Sequence, residues 1–80
     1  MENKVAILGI IVENTASVEA LNALLHESGE FIIGRMGLPY AERRINIISI
    51  AMDAPQAVIA ALAEKISALD GVRVQAVTTE

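Results

Sequence analysis

The apolar residues of the chain fall into six short runs separated by turn signals. The first run, Lys4 to Glu13, is rich in β-branched residues and bounded by polar ones, which is typical of a strand. Both of its faces are apolar, so we expect a central strand that is covered on both sides. Helices are expected to cover one face, and an 80-residue chain cannot easily supply the second cover.

Two segments show the three-and-four spacing of apolar residues that is typical of amphipathic helices. Asn14, Thr15 and Ser17 are the candidate N-caps of the first helix, and Gly29 is predicted to end it with a left-handed backbone. For the second helix, Asp53 is the predicted N-cap and Pro55 lies in the first turn. The apolar positions of the two helices are Val18, Leu21, Leu24, Leu25, Ile59, Leu62, Ile66 and Leu69.

Three further segments are predicted to be strands. The second strand is expected over Glu30 to Gly37 and the third over Arg43 to Asp53, joined by a hairpin connection that contains Pro39. The last strand, Val72 to Thr78, alternates apolar and polar residues. It should therefore have one wet face and lie at an edge of the sheet.

The resulting β-α-β-β-α-β order predicts an α+β, ferredoxin-like sandwich. Right-handed crossovers place both helices on one face of an antiparallel four-strand sheet with the spatial order 4-1-3-2. In that order the wet fourth strand lies at an edge and the dry first strand lies inside. We expect residues 1–80 to form a single domain.

Composition adds an expectation of self-association. The chain is 54% hydrophobic, yet it has no cysteine and one histidine, so neither disulfides nor a structural zinc can support so small a core. We therefore predict a homo-oligomer, a dimer or a tetramer, paired through the sheet face or the sheet edges. The longest apolar run is too short to span a membrane and no export signal is apparent, so a cytoplasmic location is predicted.

Charge and residue content argue against several function classes. The net charge of −4 and the presence of only Phe31 and Tyr40 as aromatic residues argue against direct nucleic-acid binding. No serine has a nucleophile setting, and the acidic residues form no obvious pair, so we predict no catalytic residues and no cofactor. His26 is expected to be a partly exposed residue near the end of the first helix, because a metal site would need partners that its helix does not offer.

Two segments nevertheless contain candidate binding residues. The stretch from Gly34 to Gly37, with nearby arginines in the hairpin, could form an anion or partner-docking site, although a charged edge hairpin explains the same residues somewhat better. The turn after the first strand could line a ligand pocket, although simple helix capping is the favoured interpretation. The candidate ligand- or partner-binding residues are Glu13, Asn14, Thr15, Gly34, Arg35, Met36, Gly37, Arg43 and Arg44.

Four stretches carry a family resemblance: the opening strand from Val5 to Glu13, the Gly-Arg-Met-Gly-Leu-Pro-Tyr sequence of residues 34–40, the strand of residues 45–52, and Asp70-Gly71-Val72. Together they resemble the small ACT-like proteins described as iron-only hydrogenase system regulators. The resemblance implies a bacterial, cytoplasmic and oligomeric ACT-like domain connected with hydrogenase maturation or regulation. A more distant similarity is to the C-terminal regulatory domain of nickel-responsive repressors, which use several histidines and a cysteine that this chain lacks.

Three functions stay open at this point. The first is a non-catalytic regulatory module, an oligomer that binds a small ligand or a partner protein. The second is an interaction adaptor without a ligand, and the third is a small acylphosphatase-like enzyme in which Arg35 and Asn46 hold an anionic substrate.

Overall fold

A computed structural model describes residues 2–79. It contains the six predicted elements in the predicted order, with short 3-10 turns at residues 15–17, 29–31 and 41–43. The strands are β1 (Asn3–Val12), β2 (Ile32–Tyr40), β3 (Ile45–Pro55) and β4 (Val72–Thr78), and the helices are α1 (Val18–Glu27) and α2 (Gln56–Ser67). Within residues 2–79, neither helix is both long and apolar enough to cross a membrane.

The four strands form one antiparallel sheet in the order β2-β3-β1-β4. This confirms the predicted order 4-1-3-2, with β1 inside and β4 at an edge. The pairing of β1 with β3 is long and unbroken, from Asn3 opposite Pro55 to Val12 opposite Asn46. The central strand thus holds together elements from the first and second halves of the chain.

The hydrophobic core lies between the sheet and the two helices. Alternate residues of β1 and β3 face the helices and are almost fully buried, because successive side chains of a strand point to opposite faces. Burying one such leucine or isoleucine contributes about 1.5–3 kcal/mol. The core residues of these elements are Ala6, Leu8, Ile10, Val12, Ile48, Ile50, Met52, Ala54, Leu21, Leu25, Ile59, Leu62 and Ile66.

The opposite face of the sheet, which we call the open face, is covered by neither helix. Its apolar side chains retain 37% to 68% of their accessible surface. The strand pairing places Leu38 beside Ile47 and Val77 beside Ile7, so all four strands contribute to it. The apolar members of the open face are Val5, Ile7, Ile11, Met36, Leu38, Tyr40, Ile47 and Val77.

Both predicted helix-boundary residues need correction. Gly29 does not have a left-handed backbone; it begins a 3-10 turn, and within residues 2–79 the glycine with positive φ is Gly71. Asp53 is not a helix cap, because it lies in β3 opposite Val5. The ladder between β1 and β3 continues to Pro55, so the backbone hydrogen bonds of the sheet prevail over capping. Pro55 therefore ends β3 instead of lying in the first turn of α2, which begins only at Gln56.

The hairpin between β2 and β3 is shorter than predicted. The second strand extends through Pro39 to Tyr40, and the connection moves to residues 41–44, where Arg44 adopts a left-handed backbone with φ 56°. Proline is compatible with this position because β2 is an edge strand and is paired only with β3.

Candidate functional site

The candidate residues of β2 lie on opposite faces of the sheet. Arg35 and Gly37 pair with Ile50 and Ile48, two residues of the helix-covered face. Gly34 and Met36 pair instead with Ala51 and Ser49 on the open face. The predicted cluster is therefore two separate features, because a strand alternates its side chains between the faces.

The turn after β1 is tied to the turn before β4. The backbone N–H groups of Glu13 and Asn14 donate hydrogen bonds to the carbonyl oxygen of Gly71, at 2.6 and 3.3 Å. The Asn14 amide nitrogen donates to Asp70 Oδ2 at 2.6 Å, and Ser17 Oγ donates to the Asp70 carbonyl at 2.6 Å. Asp70 thus holds both sides of the junction together.

Two further polar groups of this turn are also paired. Asn14 Oδ1 accepts a hydrogen bond from the Ala16 N–H at 3.0 Å, which caps the 3-10 turn that precedes α1. Arg73 Nε donates to Glu13 Oε1 at 3.0 Å, with both side chains more than half exposed. An exposed pair of this kind contributes at most about 1 kcal/mol. The geometry therefore supports the capping interpretation for Asn14, whereas Glu13 pairs with Arg73 instead of capping the turn.

Replacing Asn14 with alanine should reduce the free energy of unfolding by about 1–2 kcal/mol, because both the cap and the bond to Asp70 disappear. Urea unfolding followed by circular dichroism measures this loss. The matched control is Thr15→Ala, since no side-chain hydrogen bond of Thr15 occurs within residues 2–79. Equal losses in the two variants would contradict the assigned role of Asn14.

A cavity of about 260 Å³ lies between α1 and the β2 edge of the sheet. Its residues come from three elements: the start of α1, the middle of β2 and the start of β3. They are Val18, Asn22, Arg35, Gly37, Leu38, Pro39, Asn46 and Ile48. We call this space the Arg35 cavity.

The polar groups of the Arg35 cavity are a guanidinium and two side-chain amides. Arg35 Nη2 donates to Asn22 Oδ1 at 3.2 Å, and the Asn46 side chain forms no hydrogen bond with residues 2–79. A Cβ atom at Gly37 would meet no heavy atom within 4 Å, so the missing side chain leaves part of the space free. The sequence analysis did not predict Asn22 as a site residue. Its position one turn after Val18, on the same side of α1, was the signal that could have indicated it.

The other two candidate arginines lie elsewhere. Arg43 ends the 3-10 turn of the hairpin and Arg44 follows it, and neither lines the Arg35 cavity. The three arginines that are close in sequence therefore do not form one basic cluster around that cavity.

The open face has a shallow concavity above Gly9. Because Gly9 has no side chain, the surrounding side chains of Ile11, Ile47 and Gln75 stand above the middle of the sheet. A Cβ atom at Gly9 would come no closer than 3.9 Å to the nearest backbone oxygen, so the space is not needed for strand packing.

Few potential metal ligands lie close together in the part of the chain that the structure describes. Residues 2–79 contain no group of three or more His, Cys, Asp or Glu side chains that could hold an ion. His26 lies in the last turn of α1 and is exposed.

The sheet order, the helix placement and the apolar open face define a ferredoxin-like domain of the ACT-like class. A family model described as "TM1266-like: Iron-only hydrogenase system regulator, putative" matches residues 4–76. The chain belongs to this family.

Solved structures agree with this assignment. The uncharacterized protein TM1266 from Thermotoga maritima is 32% identical, with a TM-score of 0.94 over 99% of this chain and 100% of its own. A formyltetrahydrofolate deformylase from Pseudomonas putida KT2440 matches 91% of this chain with 28% of its own, at 15% identity and a TM-score of 0.65. The apo form of CPII, a nitrogen regulatory PII-like protein from Thiomonas intermedia K12, matches 95% of this chain with 91% of its own, at 22% identity and a TM-score of 0.54.

The last two similarities concern the fold alone. No curated protein matches the sequence at a significant level.

Proposed function

We propose that this protein is a non-catalytic regulatory module of the iron-only hydrogenase system that works in the cytoplasm as a homo-oligomer. It binds a small ligand or a partner protein, and this binding regulates the hydrogenase system. Membership of the regulator family supports the regulatory role. The open face is the observation that carries the oligomeric part of the proposal.

The open face has the size and composition of an interface. The described chain measures 41 by 18 by 18 Å, so one broad side offers on the order of 700 Å², close to the roughly 800 Å² that each partner buries in a standard interface. Contiguous apolar patches larger than a few hundred Å² are rare on monomeric proteins. The open face therefore needs a cover, and the helices of the same chain already occupy the other side.

A second copy of the chain is the occupant that we propose. Two copies related by a two-fold axis present the same patch to each other, so an apolar surface meets an apolar surface without an additional gene product. The concavity above Gly9 gives such a pair a place for interdigitating side chains. On this side of the sheet, the charged residues of the strands are Asp53 and Arg73. Both lie toward the ends of the face, so its middle carries no charge.

The non-catalytic part of the proposal has two supports. The family is described as a regulator family. The His26 side chain, the sole imidazole of the sequence, lies exposed on α1, where neither a paired base nor a metal cluster is found within residues 2–79.

Light scattering and a genetic measurement test the proposal together. At micromolar concentration the purified protein should have at least twice the mass of one chain. Deletion of its gene from a host with an iron-only hydrogenase should change hydrogenase activity or transcript level, and the wild-type gene should restore it. A monomeric protein would contradict the oligomeric proposal, and unchanged hydrogenase in the deletion strain would contradict the regulatory one.

Acyl phosphate hydrolysis is the second candidate function, and one observation favours it. Arg35 and Asn46, the arginine and asparagine that such an enzyme would need, line the same cavity. Glu13 and Asn14 do not line it, and their turn is engaged in hydrogen bonds with the turn before β4. A hydrolysis assay with an acyl phosphate should give the same rate for the wild type and Arg35→Gln; a rate that depends on Arg35 would favour the enzyme.

A further inference from the structure

We propose that the Arg35 cavity is a binding site for a small monocarboxylate with a short apolar tail. This inference rests on the proposed function, because it names the ligand class of the regulatory module. The residues that carry it are Arg35, Asn22, Asn46, Gly37, Val18 and Ile48.

The first step is the charge inside the cavity. Among residues 2–79 the salt bridge found is that of Arg73 with Glu13, and the Arg35 guanidinium has no carboxylate partner. It is bonded instead to a neutral amide oxygen, that of Asn22. Because a guanidinium has five N–H donors in a planar fork, donors remain for a carboxylate, which it can bind through two parallel hydrogen bonds.

The second step is the number of charges that the cavity can balance. One guanidinium is the cationic group in its lining, and the two amides contribute neutral donors. The whole chain has a net charge of −4. A monoanion is therefore a better match than a doubly charged phosphate, which usually binds to several cationic groups or to a cradle of backbone N–H groups.

The third step is size and shape. A volume of about 260 Å³ lies below the 300–1,000 Å³ that is typical of clefts for drug-sized ligands, which favours a small ligand. Val18, Ile48 and Pro39 line the cavity, and these residues favour an apolar tail. The space at Gly37 is open and leaves room for such a tail beside these residues.

NMR titration with butyrate tests the proposal, with ionic strength held constant by sodium chloride. The wild-type protein should show saturable shifts of the Asn22, Gly37 and Asn46 amide signals. Arg35→Gln should weaken binding at least about tenfold, because a charge-assisted hydrogen bond is lost. Gly37→Val should abolish binding, because the valine side chain fills the cavity while Arg35 remains. The backbone can accept valine at this position because Gly37 has no positive φ.

Lys65→Gln is the matched control, because it removes the same charge from α2, away from the Arg35 cavity. It should bind butyrate as the wild type does, and the neutral analogue butyramide should bind at least about tenfold more weakly. No saturable shift with butyrate, equal weakening by Lys65→Gln and Arg35→Gln, or tighter binding of inorganic phosphate would each overturn the proposal. Circular dichroism verifies that each variant folds. If Gly37→Val does not fold, the butyrate titration of Arg35→Gln tests the proposal.

Light scattering of the same samples separates this inference from the proposed function. An oligomer that does not bind butyrate overturns the monocarboxylate site and leaves the oligomeric module standing. A monomer that binds butyrate through Arg35 overturns the oligomeric module and leaves the monocarboxylate site standing.

Discussion

The variant Gly71→Ala should lose about 2–4 kcal/mol of unfolding free energy, a large effect for a single methyl group. Gly71 has φ +68°, a backbone conformation that is unfavourable for alanine. A Cβ atom there would lie 2.5 Å from Asn14 Cβ and 2.9 Å from the Asn14 nitrogen. The backbone must therefore shift, which breaks the hydrogen bonds from Glu13 and Asn14 to the Gly71 carbonyl. Urea unfolding monitored by circular dichroism measures the loss.

Gly29→Ala is the control for this experiment. Gly29 has an ordinary φ, and a Cβ atom at this position would meet nothing within 4 Å. The same substitution should therefore be neutral or should stabilise the protein by up to about 1 kcal/mol, since alanine has fewer conformations in the unfolded chain. A loss at Gly29 as large as that at Gly71 would contradict the assigned role of the tight junction between the two turns.

The second large effect is expected from Ile7→Glu at the middle of the open face. Ile7 keeps 51% of its surface exposed in the single chain, so the folded monomer should tolerate a carboxylate at this position. In a two-fold pair each copy would bury one extra charge and lose one apolar contact. The dissociation constant should rise at least about 100-fold, because a cost of about 3 kcal/mol is modest for two such changes. Analytical ultracentrifugation measures this constant.

The matched control for Ile7→Glu is Ala60→Glu. Ala60 lies on an exposed position of α2, on the opposite side of the sheet, and glutamate is a good helix former. This variant has the same added charge and should associate as the wild type does. If both variants dissociate equally, overall charge rather than the open face controls association; if neither does, the pairing uses the sheet edges.

The fold could be predicted from the sequence because periodicity alone specifies most of it. The clean alternation of Val72 to Thr78 identified an edge strand with correct bounds, and the two-sided apolar pattern of β1 identified a central one. The errors occur where sheet pairing competes with local preferences. Asp53 has the residue type of a cap, but the ladder between β1 and β3 extends past it, and no local pattern reveals how far a ladder continues.

The candidate site was predicted less completely, for a geometric reason. Arg35 and Gly37 were predicted as site residues, and the structure places both at one cavity. Their sequence neighbours Gly34 and Met36 lie on the other face, which period-two alternation could have indicated once β2 was recognised as a strand. The contact of Asn22 with Arg35 depends on how α1 crosses the sheet, and the placement of Asn46 at the same cavity depends on the register between β2 and β3. Tertiary packing decides both.

The position of β1 in the sheet also has a consequence for the order of events during synthesis. The most apolar strand is made first, but its two neighbours, β3 and β4, begin only at residues 45 and 72. Until β3 has been synthesised, Val5 to Val12 therefore has no partner strand and is exposed to unwanted association. β3 is synthesised before β4, so β1 can pair with β3 first, and the four-stranded sheet is completed only after β4 has been made.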